Sequence, residues 1–225
     1  MSPLDCPVWT ALTSDHRALA VGGPLAIRYT PEVAPFAALA ERTPTAFAAL
    51  AALIPADGWV MLHTPDVPAL PEGFVVHRQA PLLQMVLERP VVADGGEPLT
   101  LGEADVPEMM DLAGRTQPGP FGRRTIELGH YVGLRDEGRL AAMAGERMRC
   151  GGFVEISAVC VDPDHRGRGH AARLTAHLAQ RIQAAGRTPF LHVLAENAPA
   201  IALYEKLGFR RRAGFVITAL GKAAG

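Results

Sequence analysis

Two stretches of the 225-residue chain combine residue types and spacings that could do chemistry. In the first, Val159-Cys160-Val161 ends a run that reads as a buried strand, residues 162–166 form a short polar loop, and Gly167-Arg168-Gly169-His170-Ala171-Ala172 opens a helix. That order suits anion capture. The first N–H groups of a helix lack partners inside it and carry the positive end of its dipole, and glycines let the backbone approach a phosphate closely. Arg166 and Arg168 could add charge. In the second stretch, Asn197-x-x-Ala200-x-x-x-Tyr204-x-x-x-Gly208-Phe209, helical spacing sets Tyr204 on an apolar face with Ala200 and a glycine closes the pattern. Glu155 is an acid inside the apolar run 153–161, where desolvation is expected to raise its pKa towards the range useful to a general base. His192, on an apolar run over 190–194, is the other candidate base. Each has a plainer reading: Tyr204 as core packing, Glu155 as the buried partner of an arginine, His192 as a satisfied core histidine.

The elements that must position these groups follow from periodicity and punctuation. Asp94-Gly95-Gly96-Glu97-Pro98 stops both helix and strand, so a hinge is placed over 93–98, between a subsidiary segment 1–92 and a segment 99–225 that carries the chemistry. In the latter, strands are predicted at 99–101, 131–134, 140–148, 153–161, 190–194 and 215–220, with a hairpin turn at Asp136-Glu137-Gly138. A helix starts at Asp105 with Glu108 three residues on and runs through Leu112. A second has Leu174, Leu178 and Ile182 on one stripe and Gly186 at its stop; a third has Ala200, Leu203, Tyr204 and Leu207, then Gly208. In 1–92, alanine-rich patterns predict helices near 31–40 and over 43–54, the latter capped by Thr43 with Pro44 in its first turn. Short strands are read at 59–63 and 74–77, and the apolar stretch 82–87 stays open in type.

Taken together, the loop Arg166 to Ala172 and the Asn197 to Phe209 helix resemble the GNAT superfamily of acyl-CoA-dependent N-acetyltransferases, over roughly 99–220 and closest to a bacterial subgroup with an extra N-terminal region. The resemblance implies an α/β (α+β) fold: a mixed, mostly antiparallel sheet flanked by helices, splayed near Val161, with a smaller N-terminal α/β subdomain. It implies acetyl-CoA as co-substrate and transfer to a primary amine by direct attack in a ternary complex. Val159, Cys160 and Val161 would then present backbone groups to the acetyl and pantetheine portions. Arg166, Gly167, Arg168, Gly169, His170, Ala171 and Ala172 would cradle the pyrophosphate. Asn197 would bond the pantetheine arm, Tyr204 would stand near the thioester sulfur, and Glu155 or His192 would take the amine's proton. The acceptor stays open between small amines, amino acids and protein N-termini; the loop 117–124 and the hairpin at Tyr131 are expected to shape its pocket.

Composition narrows the alternatives. With 22 basic against 23 acidic residues, the chain offers no electrostatic footprint for nucleic acid or an anionic membrane. No apolar run approaches the ~20 residues of a membrane span, and the N-terminus lacks the pattern of a signal peptide, so a cytoplasmic protein is expected. Cys6, Cys150 and Cys160 make neither a disulfide framework nor a zinc knuckle, and Cys160 in a buried strand is expected to be inert rather than an acetyl-accepting nucleophile. The other histidines, His16 and His63 among them, show no metal-ligand spacing and are expected at the surface or in packing; no metal is expected. Gly167-x-Gly169-x-x-Ala172 also satisfies a dinucleotide fingerprint, but five residues separate it from its strand and too little chain follows for a doubly wound sheet. An idle acyl-CoA-binding module is the alternative outside enzymes.

Overall fold

The computed structural model describes residues 2–94 and 96–223. One eleven-stranded sheet runs through the molecule in the order β1-β2-β3-β4-β11-β5-β10-β9-β8-β7-β6. Its strands are β1 (Ala20–Gly22), β2 (Ala26–Tyr29), β3 (Phe36–Leu39), β4 (Trp59–Thr64), β5 (Phe74–Val86), β6 (Leu99–Leu101), β7 (Tyr131–Asp136), β8 (Arg139–Cys150), β9 (Phe153–Val161), β10 (Thr188–Leu194) and β11 (Arg210–Lys222). Neighbours pair antiparallel except β3–β4 and β9–β10. The helices are α1 (Pro7–Thr13), α2 (Pro44–Leu53), α3 (Val106–Thr116), α4 (His170–Ala184) and α5 (Ala198–Lys206). The mixed, mostly antiparallel sheet with flanking helices is the expected fold class.

A helix the length of α4 is marginal alone in water, so its apolar stripe must hold it. Leu174, Leu178 and Ile182 pack with Ile201 of α5 on Val154, Ile156, Leu191 and Val193, one face of β9 and β10. On the opposite face, Leu4, Val8 and Leu12 around α1 meet Tyr29, Phe36, Met148 and Phe190. That cluster joins β2 and β3 to β8 and β10, which are far apart in strand order, because the sheet curls back on itself. Thr125 Oγ1 donates to the Val33 carbonyl at 2.8 Å and the Arg124 N–H to Glu32 at 3.1 Å, closing the curl. α2 sits on the outer face, packing Phe47 and Leu50 on Val60, Leu62 and Leu220.

The helix expected near 31–40 is replaced by a turn and strand β3. Its register with β2 and β4 satisfies backbone groups that an alanine pattern cannot foresee, and tertiary pairing overrides a weak propensity. The two apolar stretches 74–77 and 82–87 fall in one strand, β5, whose Leu82–Val86 half pairs with β10 while its whole length pairs with β11. The segment 1–92 thus contributes a strand lying between two strands of 99–225. Within the stretch expected as a hinge, Gly95 lies outside the described residues. Its flanks are tied to α4: Gln183 accepts from the Val91 N–H and donates to the Arg89 carbonyl, Gln180 accepts from Ala93, and Arg173 donates to Gly96.

Near α1, His16 is buried with Nδ1 2.9 Å from the Tyr29 hydroxyl, and burial lowers its pKa to about 4. A histidine depressed in the fold keeps its full contribution above the unfolded value near 6.5 and loses it as pH falls towards 4, because only the unfolded chain then takes up the proton. Urea unfolding midpoints should therefore fall between pH 7 and pH 5, with about 3 kcal/mol at stake over the whole window for this one group. His16→Gln should be less stable at pH 7 but lose less on acidification.

Candidate functional site

β9 and β10 run parallel and pair only from Phe153 to Glu155 against Thr188 to Phe190; beyond that point they separate. The opening belongs to a cavity of about 1330 Å³ that continues into the curl of the sheet. Beside it, β9 bulges: Ala158 and Val159 together oppose the single residue between Met143 and Gly145 on β8. Ala158 has φ 52, the left-handed region that costs a side-chain-bearing residue of order 1 kcal/mol or more. A bulge of this kind leaves a backbone group outside the ladder. Ala158, Val159, Cys160 and Val161 all line the cavity there.

The glycine loop lies against the same opening. Gly167 and Gly169 both have φ 77, and Gly169 is the N-cap of the 15-residue helix α4. A Cβ built on either would meet nothing within 4 Å, so open space lies beside the backbone, and the first turn of α4 carries no acid. These are the properties a phosphate cradle requires. Arg166, Gly167, Gly169, His170, Ala171 and Ala172 line the cavity; Arg168 does not, lying instead 3.5 Å from Asp136.

On the other flank stands α5. Asn197 caps it, accepting from the Ala200 N–H at 3.2 Å, and lines the cavity. Tyr204 is mostly buried and edge-on to Phe209, with burial raising its pKa to about 12; its hydroxyl has no protein partner among the described residues. The hydroxyl therefore stays protonated at neutral pH and is free to donate. Burial raises the pKa of the Cys160 thiol to about 11. No metal-ligating cluster occurs among the described residues.

Glu155 has a different environment from the expected one. It is fully buried, and burial alone pushes its pKa up, but the Arg147 guanidinium outweighs that cost. Arg147 donates to both carboxylate oxygens, at 2.8 and 2.5 Å, and His192 Nδ1 donates at 2.7 Å. The carboxyl is held far below the usual range, so the expected upward shift is corrected to a downward one, and Glu155 is absent from the cavity wall. His192 does line the cavity. Its Nε2 faces the Gln84 amide nitrogen at 3.1 Å, and Gln84 is oriented by Arg212, which donates to its carbonyl oxygen at 2.7 Å. A polar ladder thus crosses β8, β9, β10, β5 and β11 beneath the cavity.

Two lining residues carry no motif. His63 stacks on His192 with ring centroids 5.1 Å apart, its Nδ1 buried without a partner and its pKa depressed by burial. Arg28 reaches the cavity from β2. Their signal was weak because only the curl brings β2 and β4 to the site.

The profile of the FR47-like protein family matches residues 131–216. N-alpha-acetyltransferase RimI of Mycobacterium tuberculosis is 34% identical over 129 residues, covering 51% of this chain and 80% of that protein. The ribosomal protein bS18-alanine N-acetyltransferase of Escherichia coli is 31% identical over 116 residues, covering 49% of this chain and 78% of its own. A crystal structure assigned to the GNAT acetyltransferases, from Novosphingobium aromaticivorans, superposes with TM-score 0.93 at 45% identity over 100% of both chains. A GNAT structure from Kribbella flavida, 19% identical, shares the fold over 99% of this chain and 96% of its own with TM-score 0.67. With a parted β9–β10 pair, a glycine loop at the head of α4 and these relatives, the chain belongs to the GNAT superfamily and is an N-acetyltransferase.

Proposed function

We propose that the protein moves an acetyl group from acetyl-CoA to a primary amine by direct attack within a ternary complex. The observation that carries this reading is the convergence on one cavity of the Ala158 bulge, the Gly167–Gly169 loop and the Tyr204 hydroxyl, with further space inside the curl for an acceptor. Bound acetyl-CoA supplies the thioester. The N–H groups at the head of α4 hold its pyrophosphate, and the unpaired backbone at the bulge binds the polarised carbonyl. Tyr204 donates its proton to the departing sulfur. His192 takes the proton released by the attacking amine once the Gln84 amide, which donates to Nε2 in the resting site, gives way. Glu155 accepts from Nδ1 and so leaves the lone pair on Nε2; it stays ionised and stabilises the imidazolium, which makes it a positioning residue. The relatives named for N-terminal acetylation make a peptide amine one acceptor to test beside small amines and amino acids.

Thiol release from acetyl-CoA, followed with a panel of such amines, tests the transfer. Gly169→Glu tests the cradle. The substitution forces a side chain into a left-handed position and sets a carboxylate where a phosphate should lie. Calorimetry should show CoA binding weakened by at least about 10-fold, an anion site lost, with the left-handed strain lowering the thermal midpoint by only about 2–4 °C. Unchanged affinity overturns the placement.

A further inference from the structure

The part of the cavity inside the curl is unusually poor in acid. Among all the lining residues the single carboxylate is Asp57, against Arg28, Arg78, Arg147 and Arg166. Arg166 belongs to the glycine loop, and Arg147 is neutralised by Glu155. Arg28 is different: it is 97% buried, at 3% exposure, and forms no ion pair among the described residues. Nε donates to the Tyr29 carbonyl at 3.0 Å and Nη1 to the Leu53 carbonyl, at the end of α2, at 3.1 Å. Those bonds fix the plane of the guanidinium and leave Nη2 without a protein partner among the described residues. Glu32 acts on it only through space, without an ion pair, and a buried cation whose direct hydrogen bonds go to carbonyl dipoles is a costly arrangement that a carboxylate would relieve, most effectively against a planar, pre-oriented guanidinium. The surrounding walls are apolar, with Val33, Phe36, Met61, Leu82, Phe121 and Ile217 among them.

We infer that the acceptor is a primary amine with an apolar body and a carboxylate, and that Arg28 receives that carboxylate. This rests on the acetyl-transfer reading of the cavity. A polyamine or a lysine-rich peptide would meet like charge there with one acid to offset it, whereas an apolar amino acid or an ω-amino acid meets complementary charge and walls.

The test uses matched pairs on the full chain: phenylalanine against phenylalaninamide, and 5-aminopentanoate against pentylamine, the two pairs sampling different amine-to-carboxylate spacings. In at least one pair the carboxylate member should have a kcat/KM at least about 10-fold higher, expressed in KM, because a site built for a polar group penalises its absence. Arg28→Met should abolish that preference while leaving kcat/KM for the neutral amine and KM for acetyl-CoA within about twofold. Equal kcat/KM within both pairs overturns the inference, as does an equal loss on both members in Arg28→Met or a strong preference for a peptide amide over every free acid. Should Arg28→Met fail to fold, Arg28→Lys keeps the charge at the end of α2, and the pairs on the unmodified protein decide by themselves. Failure of every amine to release thiol, with CoA binding retained, would instead overturn the transfer reading beneath it.

Discussion

Replacing Tyr204 by phenylalanine should lower kcat by roughly 10- to 1,000-fold while acetyl-CoA affinity stays within about twofold, the usual scale for loss of a general acid. The ring packs edge-on to Phe209 and within the α4–α5 cluster, and phenylalanine retains both contacts. Only the hydroxyl goes, and among the described residues it has no protein partner whose loss would strand a buried polar group. Stability should therefore change little, and thermal unfolding measured beside turnover separates the roles. A loss of turnover that tracks a loss of stability would assign Tyr204 to packing. With a pKa raised to about 12, the group is protonated across the working range, so its removal should leave the acidic limb of the pH profile where it was.

The second large effect concerns the Arg147–Glu155 pair. Arg147→Met leaves a fully buried carboxylate with His192 as its remaining partner and should cost about 3–5 kcal/mol in denaturant unfolding. The double variant Arg147→Met/Glu155→Leu removes both charges and should be markedly more stable than the sum of the singles implies, with a coupling of about 1–3 kcal/mol. Additive losses would mean that the pair does not act as a unit. In the same series, His192→Gln should remove the acidic limb of the kcat/KM profile, since that limb reports a group that must be deprotonated. Glu155→Gln, assayed where it is folded, should lower kcat and displace the limb. Full activity with an unaltered profile in Glu155→Gln would take the residue out of the mechanism.

What could be read from residues alone was what local geometry dictates. Gly167 and Gly169 were legible because a left-handed loop before a helix demands glycine, and Tyr204 because helical spacing places it with Ala200 and Leu207. Glu155 was legible as an acid among apolar neighbours, but its partner was not. Counting back from the turn at Gly151-Gly152, Met148 should face Glu155 across the hairpin. The irregularity between Glu146 and Arg149 places two residues opposite it instead, which brings Arg147 to the carboxylate and reverses the direction of its pKa shift. The bulge at Ala158 was equally hidden, since an alanine there carries no sign of a left-handed backbone. Strands β1 to β3 were missed because each is short and is held by pairing partners rather than by its own propensity.

The position of β11 has a consequence for how the molecule is assembled. It follows every other strand in the chain, yet it lies between β4 and β5 and touches both along much of its length. Until it arrives, β1 to β4 form one sheet fragment, and β5 with β10 to β6 another, each presenting an unpaired edge to the same gap. A nascent chain lacking residues 210–222 would thus hold two half-sheets joined by the α1 cluster and the Thr125 and Arg124 hydrogen bonds but by no strand, with the two edges facing the gap left unpaired. Closure of loops this long precedes the contacts that reward it, so the final step should be slow and non-local. The open edges are meanwhile the natural place for two incomplete chains to pair with each other.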